Sequence, residues 1–105
     1  MTDEQFNKIV VERCKKIEDI LASKAKEYAR KDRLSNFKKA ANAMGTTPEA
    51  ACVGFWMKHV ISINDLTNDL ADGKVATLEM WQEKIGDSIN YMVLLEALLA
   101  ERLGQ

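Results

Sequence analysis

Residues 45–49 read Gly-Thr-Thr-Pro-Glu, which is a helix stop followed at once by a helix start. Gly45 ends the preceding helix, because glycine readily adopts the left-handed conformation that closes a helix. Thr47 supplies a capping hydroxyl, and Pro48, the only proline of the chain, suits the first helical turn. Glu49 then favours the positive end of the helix dipole. The stretch therefore predicts two helices joined by a tight turn.

Helical periodicity continues outward from this turn in both directions. Apolar residues recur at helical steps, and no strand-like alternation or Asn-Gly hairpin is present. The predicted helices cover residues 3 to about 30, 34–44, 48 to 70 or 71, and 78 to about 102, with Thr77 as the cap of the last. The second helix is expected to turn inward Leu34, Phe37, Ala41 and Met44. We therefore predict an all-α fold, with residues 1–105 forming a single domain that is a helical bundle of three long helices and one short helix.

The composition fits one small globular domain. The 105 residues are 47% hydrophobic and include five glycines and one proline, which excludes collagen-like, low-complexity and disordered classes. No apolar run approaches the roughly 18–20 residues that cross a bilayer. Residues 1–5 are polar and acidic, unlike the start of a signal peptide. We therefore expect a cytoplasmic protein with no membrane partner, in which Cys14 and Cys52 serve as small apolar residues.

The formal net charge of −1 hides an uneven distribution of charge. Residues 24–39 carry seven basic and two acidic side chains, whereas residues 62–105 carry eight acidic and three basic ones. Because the basic segment is short and the acidic half repels a long phosphate backbone, we do not expect nucleic acid as a partner. A small ligand that carries phosphate fits this pattern better.

The basic segment contains the first candidate binding residues. Lys24 and Arg33 suit phosphate, Tyr28 can stack on a base, and backbone amides at the start of the second helix favour an anion. Asn36 adds an amide that can contact base or sugar at the same junction. A structural interpretation stays equally open, in which the charged residues cap a corner and the apolar residues of the junction are buried.

The third helix carries a polar stripe beside a lone histidine. Lys58, Ser62, Asp65 and Asp69 follow one another at steps of four and three, so they line one helix face. His59 lies among apolar neighbours, where a histidine is more often a hydrogen-bonded core or rim residue than a ligand. The stripe is either a solvated face or one wall of a cleft that binds cations and anions.

The fourth helix carries two carboxylates four residues apart, Glu83 and Asp87. At this spacing both project from one helix face, where they can share a hard cation such as Mg²⁺ with waters and phosphate oxygens. Ordinary surface charge is the alternative, since Lys84 offers a nearby partner. Asp65 of the third helix is the further acid that we predict as a metal ligand.

Two glycines fall inside the predicted helices, Gly54 and Gly86. Glycine in a helix interior destabilises by roughly 1 kcal/mol relative to alanine. We expect the close approach of another helix at these positions, with contact to a ligand as the alternative.

Several of these motifs together resemble a known family. They are Tyr28, Asp-Arg-Leu-Ser-Asn-Phe at 32–37, Thr-Pro-Glu at 47–49, Lys-His at 58–59, Ser-Ile-Asn-Asp at 62–65, Trp-Gln-Glu-Lys-Ile-Gly-Asp at 81–87 and Ile-Asn-Tyr at 89–91. Over residues 24–96 the chain resembles the phage and prophage proteins of the nucleotide modification associated domain 1 family. It is more distantly similar to the MazG-like all-α nucleotide pyrophosphatases.

The resemblance implies a nucleotide site, with one departure. MazG-like enzymes hold Mg²⁺ through a Glu-Glu-x-x-Glu motif on one helix and a Glu-x-x-Asp motif on a later one. Glu83 and Asp87 resemble the second motif. The first is replaced by Lys58 and His59, which suit phosphate better than metal, and Asp65 is the nearest acid. The resemblance thus implies nucleotide binding, with Mg²⁺-dependent pyrophosphohydrolysis, altered chemistry or simple sequestration as its possible outcomes.

Two functional hypotheses follow from the sequence. In the first, a homo-oligomeric helical protein binds a nucleotide or a nucleotide-derived small molecule. The nucleotide-binding residues are then Lys24, Tyr28, Arg33, Asn36, Lys58 and His59, and the ligands of any Mg²⁺ are Asp65, Glu83 and Asp87. In the second, the chain is a non-catalytic helical oligomer that acts as a protein-protein interaction module, and its polar stripes are solvated.

Overall fold

The computed structural model describes residues 1–23 and 32–104. Its α-helices are α1 (Asp3–Ile17), α2 (Ser35–Met44), α3 (Pro48–Ala71) and α4 (Leu78–Arg102), and a π-helical segment covers Glu18–Ser23. The described residues contain no strand, so the predicted all-α fold is confirmed. None of their helices combines the length and the apolar character that a membrane crossing requires.

The chain divides into two compact units, Met1–Arg33 and Leu34–Gln105. In the first unit, α1 begins with a capping box, in which the Thr2 hydroxyl accepts from the backbone amide of Gln5 and the Gln5 side chain accepts from the backbone amide of Thr2. None of the α1 side chains is buried. The single domain over residues 1–105 stays a prediction.

The end of the first predicted helix differs from expectation. Hydrogen bonding changes at Glu18 from the α-helical to the π-helical pattern and stays so to Ser23. Apolar periodicity indicates that a segment is helical, but it does not reveal which carbonyl each amide reaches. The predicted continuation of this helix to about residue 30 lies outside the described residues.

The second unit begins and ends its helices where the sequence predicts. Gly45 closes α2 in the left-handed conformation with φ 66°. The Thr47 hydroxyl accepts from the backbone amide of Ala50 at 3.2 Å, and the Thr77 hydroxyl accepts from that of Met80 at 3.1 Å. Both threonines satisfy amides that the first helical turn leaves without partners.

The short connections at residues 45–47 and 72–77 make successive helices of this unit antiparallel neighbours. α3 packs along α4, and α2 packs on α3. The core cluster is formed by Leu34, Phe37, Cys52 and Leu98, against which Tyr91, Leu94 and Leu95 pack. The expectation that Met44 points inward is wrong: its side chain is 63% exposed, because α2 ends there and the chain turns away at Gly45.

Ion pairs lie at the open end of the α3–α4 pair, which is the end opposite the connection at residues 72–77. The Arg102 guanidinium donates to both Glu49 carboxylate oxygens, with Nη2 2.8 Å from Oε2. Lys38 on α2 donates to Glu101. The hydrogen bonds from Arg102 hold the pKa of Glu49 below its ordinary value of 4.5. The same pairing raises the pKa of Arg102.

We predict that Glu49→Gln lowers the stability of the fold at neutral pH and makes the loss of stability in acid shallower. Since the folded-state pKa of Glu49 lies below 4.5, its pairing stabilises fully above that pH, and the stabilisation is lost as the pH falls through the folded-state pKa. Urea unfolding followed by circular dichroism across an acid pH series measures both effects.

Glu79→Gln is the matched control, because Glu79 is also a first-turn glutamate, on α4. The control removes a charge near a helix N-terminus but no pairing to Arg102. Equal pH profiles for the two variants would contradict the prediction.

Candidate functional site

The contact between α3 and α4 brings His59, Asp87 and Tyr91 together. The His59 ring stacks on the Tyr91 ring, with 5.0 Å between centroids and 29° between planes. The His59 Nδ1 atom lies 3.8 Å from the Asp87 Oδ2 atom. The side chains of His59 and Asp87 are 19% and 41% exposed, so water and small solutes reach both. An imidazole, a phenol and a carboxylate thus share one rim of the helix pair.

Tyr91 is itself held in an aromatic cluster. Its ring meets the Phe37 ring edge-on at 6.3 Å and the Phe55 ring at 6.5 Å, and the two phenylalanine rings are 6.1 Å apart. Phe37 belongs to α2, so all three helices of this unit hold the ring on which His59 stacks. Such contacts fix the orientation of an aromatic side chain.

Two hydrogen bonds set the register of α3 against α4. The Trp56 indole donates to the Ser88 hydroxyl at 2.9 Å. The Cys52 thiol, which has no exposed surface, donates to the Tyr91 carbonyl at 3.5 Å. Burial raises the pKa of this thiol, so it stays protonated and acts as a small core residue, as the sequence predicts for it.

Asn90 belongs to the Ile-Asn-Tyr motif of the family resemblance, but it is not among the predicted site residues. The residue is 8% exposed, and its Oδ1 atom is buried with no hydrogen-bond partner among the described residues. A buried acceptor without a partner destabilises the fold, and native structures contain few such groups. The available signal was the position: Asn90 lies four residues after Gly86 on the buried side of α4.

The structure joins some of the predicted residues and leaves others apart. His59 and Asp87 face each other, as described above. Lys58, Asp65 and Glu83 are exposed, and none of them makes a side-chain hydrogen bond or ion pair with a described residue. Within residues 1–23 and 32–104, no three His, Cys, Asp or Glu side chains are grouped closely enough to hold a metal ion jointly. The predicted three-carboxylate Mg²⁺ site stays a prediction.

The candidates in the basic segment are only partly described. Lys24 and Tyr28 lie outside the described residues. Arg33 is exposed and belongs to the first unit, whereas Asn36 is exposed in the first turn of α2. The burial of Leu34 and Phe37 is the feature that the structural interpretation of this segment expects. Contact of these four candidate residues with a nucleotide stays a prediction.

The glycines inside the helices have different surroundings. Gly86 is buried, but Gly54 is exposed, and a methyl group added to it meets no atom within 4 Å. The close helix packing expected at Gly54 is therefore not made by any helix of residues 1–23 and 32–104. Its presence in α3 destabilises the helix by about 1 kcal/mol, and the described part of the chain provides no compensating contact.

Comparisons with protein-family models, curated proteins and solved structures give no match to the chain. The likeness to the nucleotide modification associated domain 1 family and to MazG-like enzymes stays a prediction.

We predict that Asn90→Leu raises the stability of the fold by about 1 kcal/mol, because it removes a buried acceptor without a partner. For a domain of this size that corresponds to a rise in melting temperature of about 4–8 °C. Thermal unfolding followed by circular dichroism provides the measurement.

Asn42→Leu, at an exposed position on α2, is the matched control and should change stability by less than about 0.5 kcal/mol. A loss of stability in Asn90→Leu would show that the amide makes an interaction that the fold requires.

Proposed function

We propose that this chain binds a nucleotide or a nucleotide-derived small molecule at the rim formed by His59, Asp87 and Tyr91. The observation that supports the proposal is the stacking of the His59 imidazole on Tyr91 within 4 Å of the Asp87 carboxylate. A nucleotide base can stack on the His59 and Tyr91 rings. The neighbouring Asp87 carboxylate can accept hydrogen bonds from base amines or ribose hydroxyls. The partial exposure of both polar side chains leaves the rim open to a ligand.

The phosphates of such a ligand need positive charge beside this rim. Lys58 precedes His59 in α3, is exposed and has no ion pair with a described residue, so it is available for phosphate. A divalent cation is the second source of positive charge. Glu83 and Asp87 lie one turn apart on α4, and two carboxylates suit Mg²⁺ that keeps waters and phosphate oxygens as its other ligands.

Hydrolysis of the ligand is the further step of this proposal. Bound Mg²⁺ supplies neutralisation of phosphate charge and activation of a water molecule. In that case Glu83 and Asp87 hold the cation, while His59 and Tyr91 position the nucleotide. Without hydrolysis, the same contacts make a protein that sequesters its ligand.

The proposal predicts a thermal shift with nucleoside mono-, di- and triphosphates, tested with and without Mg²⁺. A ligand at 100 times its Kd raises the apparent stability by about 2.7 kcal/mol when it binds only the folded chain. His59→Phe keeps a ring on Tyr91 but removes the imidazole nitrogens, and Asp87→Asn removes the charge. Both variants should weaken binding at least about tenfold, which corresponds to about 1.4 kcal/mol.

Asp69→Asn is the control, because it removes an exposed carboxylate near the C-terminal end of α3, away from the rim. Release of phosphate or pyrophosphate that is lost with Glu83→Gln identifies an enzyme. Binding without release identifies a sequestering protein. The absence of any shift with this panel overturns the proposal.

A protein-protein interaction module is the second candidate function, and the apolar surface of α1 supports it. Phe6, Ile9, Val10 and Val11 are between 45% and 67% exposed. Phe6, Ile9 and Val10 share one face of α1, and monomeric proteins rarely leave such an apolar face uncovered. Under this hypothesis, Phe6→Glu weakens association measured by light scattering and leaves α3 and α4 intact, whereas nucleotides have no effect on stability.

A further inference from the structure

A second exposed face runs along α3 and has the spacing of a helix-pairing seam. Its residues follow one another at steps of four and three: Ala50, Gly54, Met57, Ile61, Asn64 and Asn68. We name these six residues the outer face of α3. All are exposed, with Met57 at 44% and Ile61 at 56%, and none is ionisable. A repeat of 3.5 residues is the one that keeps two paired helices in contact along their length.

Gly54 lies in this face and makes no close packing contact with the described residues. An added methyl group there meets nothing within 4 Å. Alanine would therefore fit and would stabilise the helix. A glycine at an exposed helix position suits the close approach of a backbone or side chain from outside the chain.

Charges along one edge of the outer face indicate what approaches. Lys58 and Asp65 are seven residues apart, so they lie on the same side of α3, and neither pairs with a described residue. If a second copy of α3 packs parallel to the first, Lys58 of one chain lies at the same height as Lys58 of the other, and like charges meet. An antiparallel copy sets Lys58 of each chain beside Asp65 of the other, with the symmetry axis near Ile61. The six residues of the outer face of α3 carry no charge that would attract an acidic or basic partner of another kind.

We propose that the outer face of α3 is the contact surface for a second copy of this chain, which packs antiparallel across a two-fold axis near Ile61. Such an interface is isologous, so each apolar contact and each Lys58–Asp65 pair occurs twice. In this arrangement Gly54 of one copy lies near Asn68 of the other, and the absence of a side chain at Gly54 leaves space for it. This inference does not rest on nucleotide binding, and it gives Lys58 and Asp65 a role apart from the predicted phosphate and metal contacts.

The first test is the oligomeric state without nucleotide, measured by sedimentation velocity over a concentration series. The wild-type chain should show a reversible dimer, and Ile61→Lys should raise the dimer dissociation constant at least about tenfold. Ile85→Lys is the matched control, since Ile85 is a 39% exposed isoleucine on α4, and it should dimerise as the wild type does. A monomeric wild type, or equal effects of the two substitutions, overturns the proposal.

The second test separates loss of the interface from loss of the fold. Gly54→Gln replaces glycine with a good helix former in open space, so the isolated chain should melt several degrees higher. The same substitution should weaken the dimer, because the longer side chain keeps the second copy away. An unchanged dissociation constant contradicts a close approach at Gly54.

The third test addresses the direction of pairing. Lys58→Glu and Asp65→Lys should each weaken the dimer, because each places like charges together across the interface. The double variant should restore it, since an exchange of both charges recreates both pairs. In a parallel pair like charges face each other before and after either substitution, so neither single variant should weaken the dimer. Failure of the double variant to restore the dimer overturns the antiparallel arrangement.

Discussion

The packing of α3 on α4 around Cys52 is the constraint on which the second unit depends. Cys52 has no exposed surface, and its thiol reaches the Tyr91 carbonyl of the facing helix. Because the cysteine side chain is short, this contact requires the two helix backbones to lie close together. Once that contact is made, the rigid rise of the helices determines which residues lie opposite each other further along.

The candidate site is a product of this register. One turn beyond Cys52, Trp56 reaches Ser88, and the following turn places His59 against Asp87 and Tyr91. α2 contributes from the side through Phe37, whose ring holds the Tyr91 ring edge-on. Chemistry at the rim therefore rests on side chains whose positions are determined by the apolar core, as the precise placement of polar groups requires.

The helices of the second unit were predictable because residues at or next to their ends determine where they begin and stop. Thr47, Pro48 and Thr77 cap or begin helices within a few residues of themselves, and Gly45 ends one without help from elsewhere. The site was predictable only in part. His59 and Asp87 stand out as ionisable residues, but their meeting depends on the register of two helices that are distant in sequence. Spacing along one helix also gave no warning that the Asn90 acceptor is buried without a partner or that Gly54 faces open space.

The six-residue connection between α3 and α4 also determines how their contacts accumulate as the chain folds. Contacts near the connection close short loops, and each contact further from it closes a longer one, at an entropy cost that grows slowly with loop length. Contacts at the closed end of the hairpin therefore carry the smallest entropy cost. The pairing of Glu49 with Arg102, 53 residues apart, closes a long loop and lies within about one turn of the buried Cys52 and Leu98. The end of the hairpin that costs the most entropy to close is thus also the end at which the core is buried.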